Sequence, residues 1–537
     1  MSEQGAPTSV PTPFLILTSL ACGSLIMVIE VLGSRVIGPF FGVSLFIWTS
    51  IISVAMIALA AGYAIGGIVS DKYASPAMLY KLIMAAGIST LLIPVLKAPI
   101  IKICIPLGLR SGAFCSSFLL FAPPLLLLGM VSPYIIRLAT KEMRSVGKSV
   151  GMFYALSTVG SVAGTAVTGF FLVAYFGVSN IFLLVGGLLI ALSCSYFIFY
   201  GKKYLVAAAL FLPALASFPA EDISRTLDNG TTVQLIHSKD SSYANLKIVD
   251  YTYGEKHIRE MLLDGLTQST MDMKTGLSAA PYTYLLELLP YGINPHGKNA
   301  LVVGLGGGMV PRWYEKKGIK TDIVEIDKDV LLLAEKYFDF KVSGEKYVED
   351  ARQFFLREEK KYDYIVMDAF GGETTPSHLL SLEACQLVRS RMTPDAVLSL
   401  NVVSSLSKDG FVSASIVKTL KQVFANVDIN PLFDPREQRI GNIIITAYDG
   451  PARTVDRNLL ATTPVHWLAK KTVERFFAQN FQLPDSTGGI VLTDNYNPLD
   501  CYDTDIKLEF RRIIIESTHW DILLARETGR AKTSALA

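Results

Sequence analysis

The second half of this 537-residue chain carries acids at the ends of successive apolar runs, and its chemistry concentrates there. Leu301-Val302-Val303 leads into Gly304-Leu305-Gly306-Gly307-Gly308, and Asp322-Ile323-Val324 ends on Glu325, with Asp327 close behind. The pattern reads as strand, glycine turn, helix, strand, acid. Gly304, Gly306, Gly307 and Gly308 let a backbone approach a ligand closely, and a carboxylate about 20 residues on can accept hydrogen bonds from both hydroxyls of a ribose. Asp350-Ala351 opens a helix after Tyr347-Val348, where a carboxylate can accept a hydrogen bond from an adenine amino group. Asp368 closes Tyr364-Ile365-Val366-Met367 and faces the reacting part of such a ligand. One Asp of this kind is ordinarily a helix cap. Three acids at successive strand ends beside a glycine turn describe a nucleoside pocket.

These acids need a sheet to hold them. Residues 300–304, 321–325, 362–368 and 396–401 are apolar strand candidates with helices between, the pattern of a doubly wound parallel sheet whose ligands bind beyond the carboxyl ends of its strands. Upstream, the alternating runs Thr231–His237, Ala244–Tyr251 and His257–Leu263 predict a small antiparallel sheet, followed by a helix over 276–289.

The first half has a different texture. The chain is 51% hydrophobic with mean hydropathy +0.40, and the excess lies before about residue 220. Stretches long enough to cross about 30 Å of hydrocarbon occur near 14–37, 44–69, 77–96, 112–137, 150–175 and 179–199. A shorter run, Tyr204 to Phe218, contains Pro213 and leaves the count at six or seven spans. The opening residues lack a basic stretch, so the first run is expected to be a retained span and not a cleaved signal. Gly151, Gly160, Ser161, Gly164, Thr165 and Gly169 place small residues along the fifth span, as close packing in lipid requires. Glu30 and Arg35 lie inside the first span, where each needs a partner or water: either a structural ion pair or a polar path.

Basic residues orient the spans. Asp71-Lys72, then Arg137, Lys141, Arg144 and Lys148, then Lys202-Lys203 mark three loops expected on the cytoplasmic side. Six spans with 204–218 at the interface keep the soluble half in the cytoplasm, although the Lys97–Arg110 loop then places three cations outside. A net charge of +2 gives no sign of a nucleic-acid partner. Four of the six cysteines lie in the apolar half and none forms a CxxC pair, so a metal or disulfide framework is not expected.

The motifs GLGGG, VEIDKDVLLLAEKYF, EDARQFF, YDYIVMDAF and HLLSLEACQLVRSRMTPDAVLSLNV resemble the polyamine aminopropyltransferase (spermidine synthase) family, strongly over about 235–405. Asp240-Ser241-Ser242-Tyr243 is similar to the family's ESxY, and Leu263-Asp264-Gly265-Leu266-Thr267-Gln268 to its LDGxxQ. Tyr154–Gly160 and Leu492-Thr493-Asp494 resemble the branch that carries membrane spans ahead of the transferase domain. The resemblance implies an α-helical transmembrane bundle (1–220), a small antiparallel β subdomain (221–275), a Rossmann-like catalytic domain (276–450) and a helical C-terminal extension (451–537). It implies that Glu325, with Asp327 beside it, binds the ribose, Asp350 the adenine, and Gln268 the sulfonium ligand. Tyr282 would help hold the attacking amine, and Asp368 would lie at the acceptor site. No tightly bound cofactor is implied; decarboxylated S-adenosylmethionine or S-adenosylmethionine would be the co-substrate.

Two departures stand out. The soluble enzymes have an Asp after the glycine motif that grips the donor's amine, and the sequence reading assigns Met309 to that place. Their second acid after the Asp368 position is Gly371 here, with Glu373 further on. Glu373, His378 or Asp494 could substitute. The expected activity is aminopropyl transfer to an amine in a bacterial inner membrane, with a homodimer left open. The rival readings are methyl transfer, lyase breakdown of S-adenosylmethionine, and a transporter or sensor with a degenerate nucleotide domain.

Overall fold

The computed structural model describes residues 10–42, 45–140, 146–201, 206, 209, 212, 223–370, 374–406, 410–455, 458–478, 488–502, 504–517 and 522. Two compact units emerge: the N-terminal helices, and a unit spanning Asp222–Ile522.

The N-terminal unit contains α1 (Thr12–Phe41), α2 (Leu45–Lys72), α3 (Pro76–Cys104), α4 (Leu109–Gly129), α5 (Val131–Ala139), α6 (Val146–Val167) and α7 (Val178–Phe199). With α4 and α5 continuous over Leu109–Ala139, six helices among the described residues are long and apolar enough to cross a membrane. Residues 202–205 and most of 204–218 lie outside the described residues.

The small residues of α6 meet α1. Gly160 abuts the Leu20 carbonyl and Gly164 that of Ser24, while Gly23 abuts the carbonyl of Ser157. Ser161 Oγ donates to the Gly23 carbonyl at 3.1 Å, and Ser19 Oγ to that of Phe153 at 3.1 Å. A Cβ at Gly151 or Gly169 would enter open space, and Thr165 bonds back to Ser161 in its own helix, so the seam is narrower than the sequence pattern. Gly160→Leu is expected to lower the melting temperature of the detergent-solubilised protein by several degrees, because backbone, not a flexible side chain, blocks the new group. Gly151→Leu is expected to leave it unchanged.

Glu30 and Arg35 are five residues apart on α1, about 140° around the helix. They therefore leave the helix in different directions.

The second unit begins with five antiparallel strands in sequence order: β1 (Ser224–Thr226), β2 (Thr232–Asp240), β3 (Asn245–Tyr253), β4 (Lys256–Leu263) and β5 (Leu266–Asp272). The three expected runs are β2, β3 and β4. β1 is too short to show alternation, and β5 carries Thr267, Gln268, Ser269 and Thr270 in place of an apolar pattern.

After α8 (Pro281–Ile293) comes a seven-stranded sheet. Its strands are β6 (Asn299–Val303), β7 (Lys320–Glu325), β8 (Lys346–Val348), β9 (Tyr362–Met367), β10 (Met392–Ser405), β11 (Asn426–Pro431) and β12 (Ile440–Tyr448), in the order β11-β12-β10-β9-β6-β7-β8. β6 to β10 are mutually parallel. β12 runs antiparallel to both β10 and β11, so the sheet is mixed and not wholly parallel. The short link between β11 and β12 forces a hairpin, and the buried run Ile443-Ile444-Ile445 has no periodicity that reveals strand direction.

Side chains alternate across the parallel strands. Leu301, Val303, Ile365 and Met367 enter one core; Ala300, Val302, Tyr364 and Val366 enter the other. The connecting helices include α9 (Met309–Lys316), α10 (Lys328–Tyr337), α11 (Ala351–Arg357), α12 (Leu382–Ser390) and α13 (Phe411–Leu420). The described part of 451–537 is partly helical, including α14 (Asn458–Thr462) and α15 (Trp467–Ala478), with non-helical segments at 451–455, 463–466 and 488–498. Ala469 and Val473 join one of the sheet's cores and Leu492 and Leu499 the other.

Candidate active site

The carboxyl ends of β6, β7 and β9 converge on the glycine turn. Gly304 has φ 85°, and a Cβ there would strike the Asp368 carbonyl. The Gly304 amide donates to Val324 O at 2.8 Å and the Asp368 amide to Val303 O at 2.8 Å, which ties all three strand ends together. Gly308, at φ 76°, opens α9 in the left-handed conformation. Ser269 on β5 clasps the turn: its Oγ accepts from the Gly307 amide at 2.7 Å. Sequence reasoning missed Ser269; its one signal was its place next to Gln268.

Glu325 ends β7 with 8% of its surface exposed. Its Oε2 accepts from the Leu305 amide and its Oε1 from the Asp327 amide, each at 2.9 Å. Burial raises its pKa, and those two amides pull the other way. The turn therefore orients the carboxylate, and each oxygen keeps a lone pair for a ribose hydroxyl.

Asp327 is held at both carboxylate oxygens. Its Oδ1 caps α10 through the Asp329 amide at 2.9 Å, and its Oδ2 accepts from the Ser241 hydroxyl. Both oxygens serve the fold, joining the Asp240–Tyr243 motif to β7.

Asp350 caps α11 through the amides of Arg352 and Gln353 at 2.9 and 3.1 Å, with Ala351 buried behind it. Its Oδ2 lies 3.1 Å from His378 Nε2. Arg352 donates to the His378 carbonyl at 2.9 Å and grips Asp494 with both terminal nitrogens. That grip holds the Asp494 carboxyl below its usual range. His378 and Asp494 thus gather at Asp350. Glu373 and Gly371 lie outside the described residues.

Asp368 forms the other end. Asn401 on β10 donates through Nδ2 to Asp368 Oδ1 at 2.8 Å, and Asn442 on β12 donates to Asn401 Oδ1 at 3.0 Å, which fixes the amide's orientation. Burial pushes the Asp368 carboxyl up to about 7, against the lowering effect of Asn401. Tyr282 on α8 donates to the Gln268 carbonyl at 3.0 Å. Burial, and then the nearby Asp368 charge, raise the Tyr282 phenol. Asp368, Tyr282 and the Gln268 backbone are therefore neighbours, a group able to hold and deprotonate an amine. Asn401→Ala is expected to move the acid limb of a pH–rate profile to higher pH, since the lost hydrogen bond favoured the ionised carboxylate.

Met309 opens α9, is 6% exposed and packs with Leu305, Val310 and Tyr314.

A spermine/spermidine synthase domain matches residues 280–436. A polyamine aminopropyltransferase from Alkaliphilus metalliredigens is 33% identical over 206 residues, covering 36% of this chain and 69% of that protein. The chain belongs to the polyamine aminopropyltransferase family. An aminopropyltransferase from Vibrio vulnificus is 38% identical over 119 residues, covering 21% of this chain and 40% of that protein. An N-terminal histidine N-methyltransferase from Emericella nidulans is 37% identical over 133 residues, 24% of each chain. The chain thus spans less than half the length of these last two relatives. The crystal structure of spermidine synthase from Thermotoga maritima is 16% identical with a TM-score of 0.37, covering 49% of this chain and 94% of that one. In this aminopropyltransferase-family chain, the matched segment contains the glycine turn, Glu325, Asp350 and Asp368.

Proposed function

We propose that the Asp222–Ile522 unit transfers an aminopropyl group from decarboxylated S-adenosylmethionine to an amine and releases methylthioadenosine. The observation that carries this reading is Asp368, buried on Asn401, beside Tyr282 and at the same strand ends as Glu325. In the reaction, the amine nitrogen attacks the methylene carbon next to sulfur. The C–S bond breaks, its electron pair stays on the neutral thioether, and Asp368 takes the ammonium proton. The sulfonium is already a good leaving group, so positioning and deprotonation supply the catalysis.

The acceptor is a mono-amine and not a dicationic polyamine. Among the described residues, Asp368 is the carboxyl whose field reaches Tyr282, and one carboxylate offsets one cation beside a sulfonium. Assayed with decarboxylated S-adenosylmethionine, putrescine should be turned over at least tenfold more slowly than the best mono-amine of a panel. Robust spermidine formation would refute that choice of acceptor.

Methyl transfer is the second reading, favoured by the name of the Emericella nidulans relative and its 37% identity. It keeps the same adenosyl pocket and changes which carbon on sulfur is attacked.

The six apolar helices would anchor the unit in a bacterial inner membrane, with the catalytic side in the cytoplasm. A cysteine at exposed Lys421 should then resist a membrane-impermeant thiol reagent in intact cells and react after lysis. Labelling in intact cells would place the domain outside.

A further inference from the structure

A cavity of about 240 Å³ runs along α9, apart from the strand-end acids. Tyr282 and Tyr284 are two residues apart on α8, hence about 200° around it, while Glu287 shares the Tyr284 side. The cavity takes Tyr284 and Glu287 from α8, and Arg312, Trp313 and Lys316 from α9. It is therefore on the face of α8 turned away from Asp368.

Glu287 gives the cavity its chemistry. It is 4% exposed, lines the cavity, and receives no hydrogen bond or ion pair from the described residues. Burial drives its carboxyl well above the usual range, and Lys316 opposes this only through its field. The phenols of Tyr284 and Tyr314 are the other titratable groups facing it. The Tyr284 hydroxyl is engaged with the Ser278 carbonyl at 2.7 Å and that of Tyr314 with the Leu286 carbonyl at 3.1 Å. A buried carboxyl without a partner is costly when ionised and is stabilised by an incoming cation.

The rest of the lining has the opposite character. Arg312, Lys316 and Lys317 supply three positive charges, and Leu277, Met309 and Pro464 supply apolar wall. Lys317 also lies over the Trp313 ring, 5.3 Å from its centroid, which gathers charge and aromatic surface at one end. The volume is below the roughly 300–1,000 Å³ of sites for drug-sized ligands, so the occupant is small. A cation-seeking floor, an anion-seeking rim and an apolar wall together select a molecule with an ammonium, a carboxylate and a short hydrocarbon.

We propose that this cavity binds a small apolar α-amino acid as its zwitterion, with the ammonium on Glu287 and the carboxylate towards Arg312, Lys316 and Lys317. The site stands independently of the transferase chemistry.

Titration calorimetry on the full chain in detergent tests this with L-leucine, 3-methylbutylamine and 4-methylpentanoate as probes. L-leucine should bind saturably and each single-charge probe at least tenfold more weakly. Seating the ammonium ionises Glu287, so the heat should vary with the ionisation enthalpy of the buffer as a proton is released. Glu287→Gln should weaken L-leucine at least tenfold and abolish the buffer dependence, while methylthioadenosine affinity, measured in the same samples, is retained. Lys316→Gln, at an exposed position, should also weaken L-leucine and serves where the Glu287 variant fails to fold. Absence of saturable L-leucine binding overturns the proposal, as does a single-charge probe that matches L-leucine. Wild-type affinity in a folded Glu287→Gln, or in Lys316→Gln, also overturns it.

Discussion

Asp368→Asn is expected to lower kcat by about 10²–10⁴-fold, the usual contribution of a positioned general base, with methylthioadenosine affinity nearly unchanged. The substitution preserves shape and can still accept from Asn401, so the strand end should hold. What disappears is the ability to take a proton. The unmodified protein should show the matching pH dependence. Burial raises the Asp368 carboxyl to about 7, and only its ionised form is a base. kcat/KM should therefore climb about tenfold per pH unit below 7 and level off above it. Steady-state kinetics from pH 5.5 to about 9 would read this limb directly. A variant with near-normal kcat would move the base elsewhere, and a rate independent of pH across this range would exclude a carboxyl of this kind.

Glu325→Gln should weaken methylthioadenosine by about 10–150-fold, corresponding to roughly 1.5–3 kcal/mol for hydrogen bonds to a charged acceptor. Each carboxylate oxygen is already aligned by one backbone amide, Leu305 or Asp327, so little reorganisation precedes ribose binding. An amide side chain presents one acceptor and one donor, which sets its NH₂ against one of those backbone N–H groups. Part of the loss should thus appear as a lower melting temperature without ligand, and calorimetry alongside thermal unfolding separates the two. An affinity within threefold of the unmodified protein would take Glu325 out of the ribose site.

Much of the geometry of the candidate site was legible because strand-end acids and glycines are local signals. Gly304 needs positive φ and room for the Asp368 carbonyl, and Glu325 and Asp368 each follow a β-branched or apolar run that names its strand. The six long helices were equally plain from length and hydropathy. Contacts between distant segments were not. Nothing in the local sequence pairs Asn401 with Asp368, Ser269 with Gly307, or Arg352 with Asp494 across the chain. Asp327 has the residue type and position of both a helix cap and a pocket acid, and its bond to Ser241 was not readable from the sequence. Met309 is similar: sequence order gives its place after the turn, while its packing follows from the first turn of α9. β11 and β12 escaped because strand direction is set by the length of their connection and not by side-chain pattern.

Glu287 illustrates the same limit from the other side. In sequence it is one acid in an amphipathic helix, with nothing to distinguish it from a solvated residue. Its burial follows from α9 and the 463–464 segment closing over that face of α8.

The most direct test of the account follows the donor's carbon. Purified protein is incubated with decarboxylated S-adenosylmethionine carrying heavy isotope in its three-carbon arm, together with a panel of amines, and products are read by mass spectrometry. Methylthioadenosine and an amine enlarged by the labelled arm are the expected products, both lost in Asp368→Asn. A methylated acceptor, with the label retained on the nucleoside, would contradict aminopropyl transfer, and intact donor throughout would contradict a transferase of either kind.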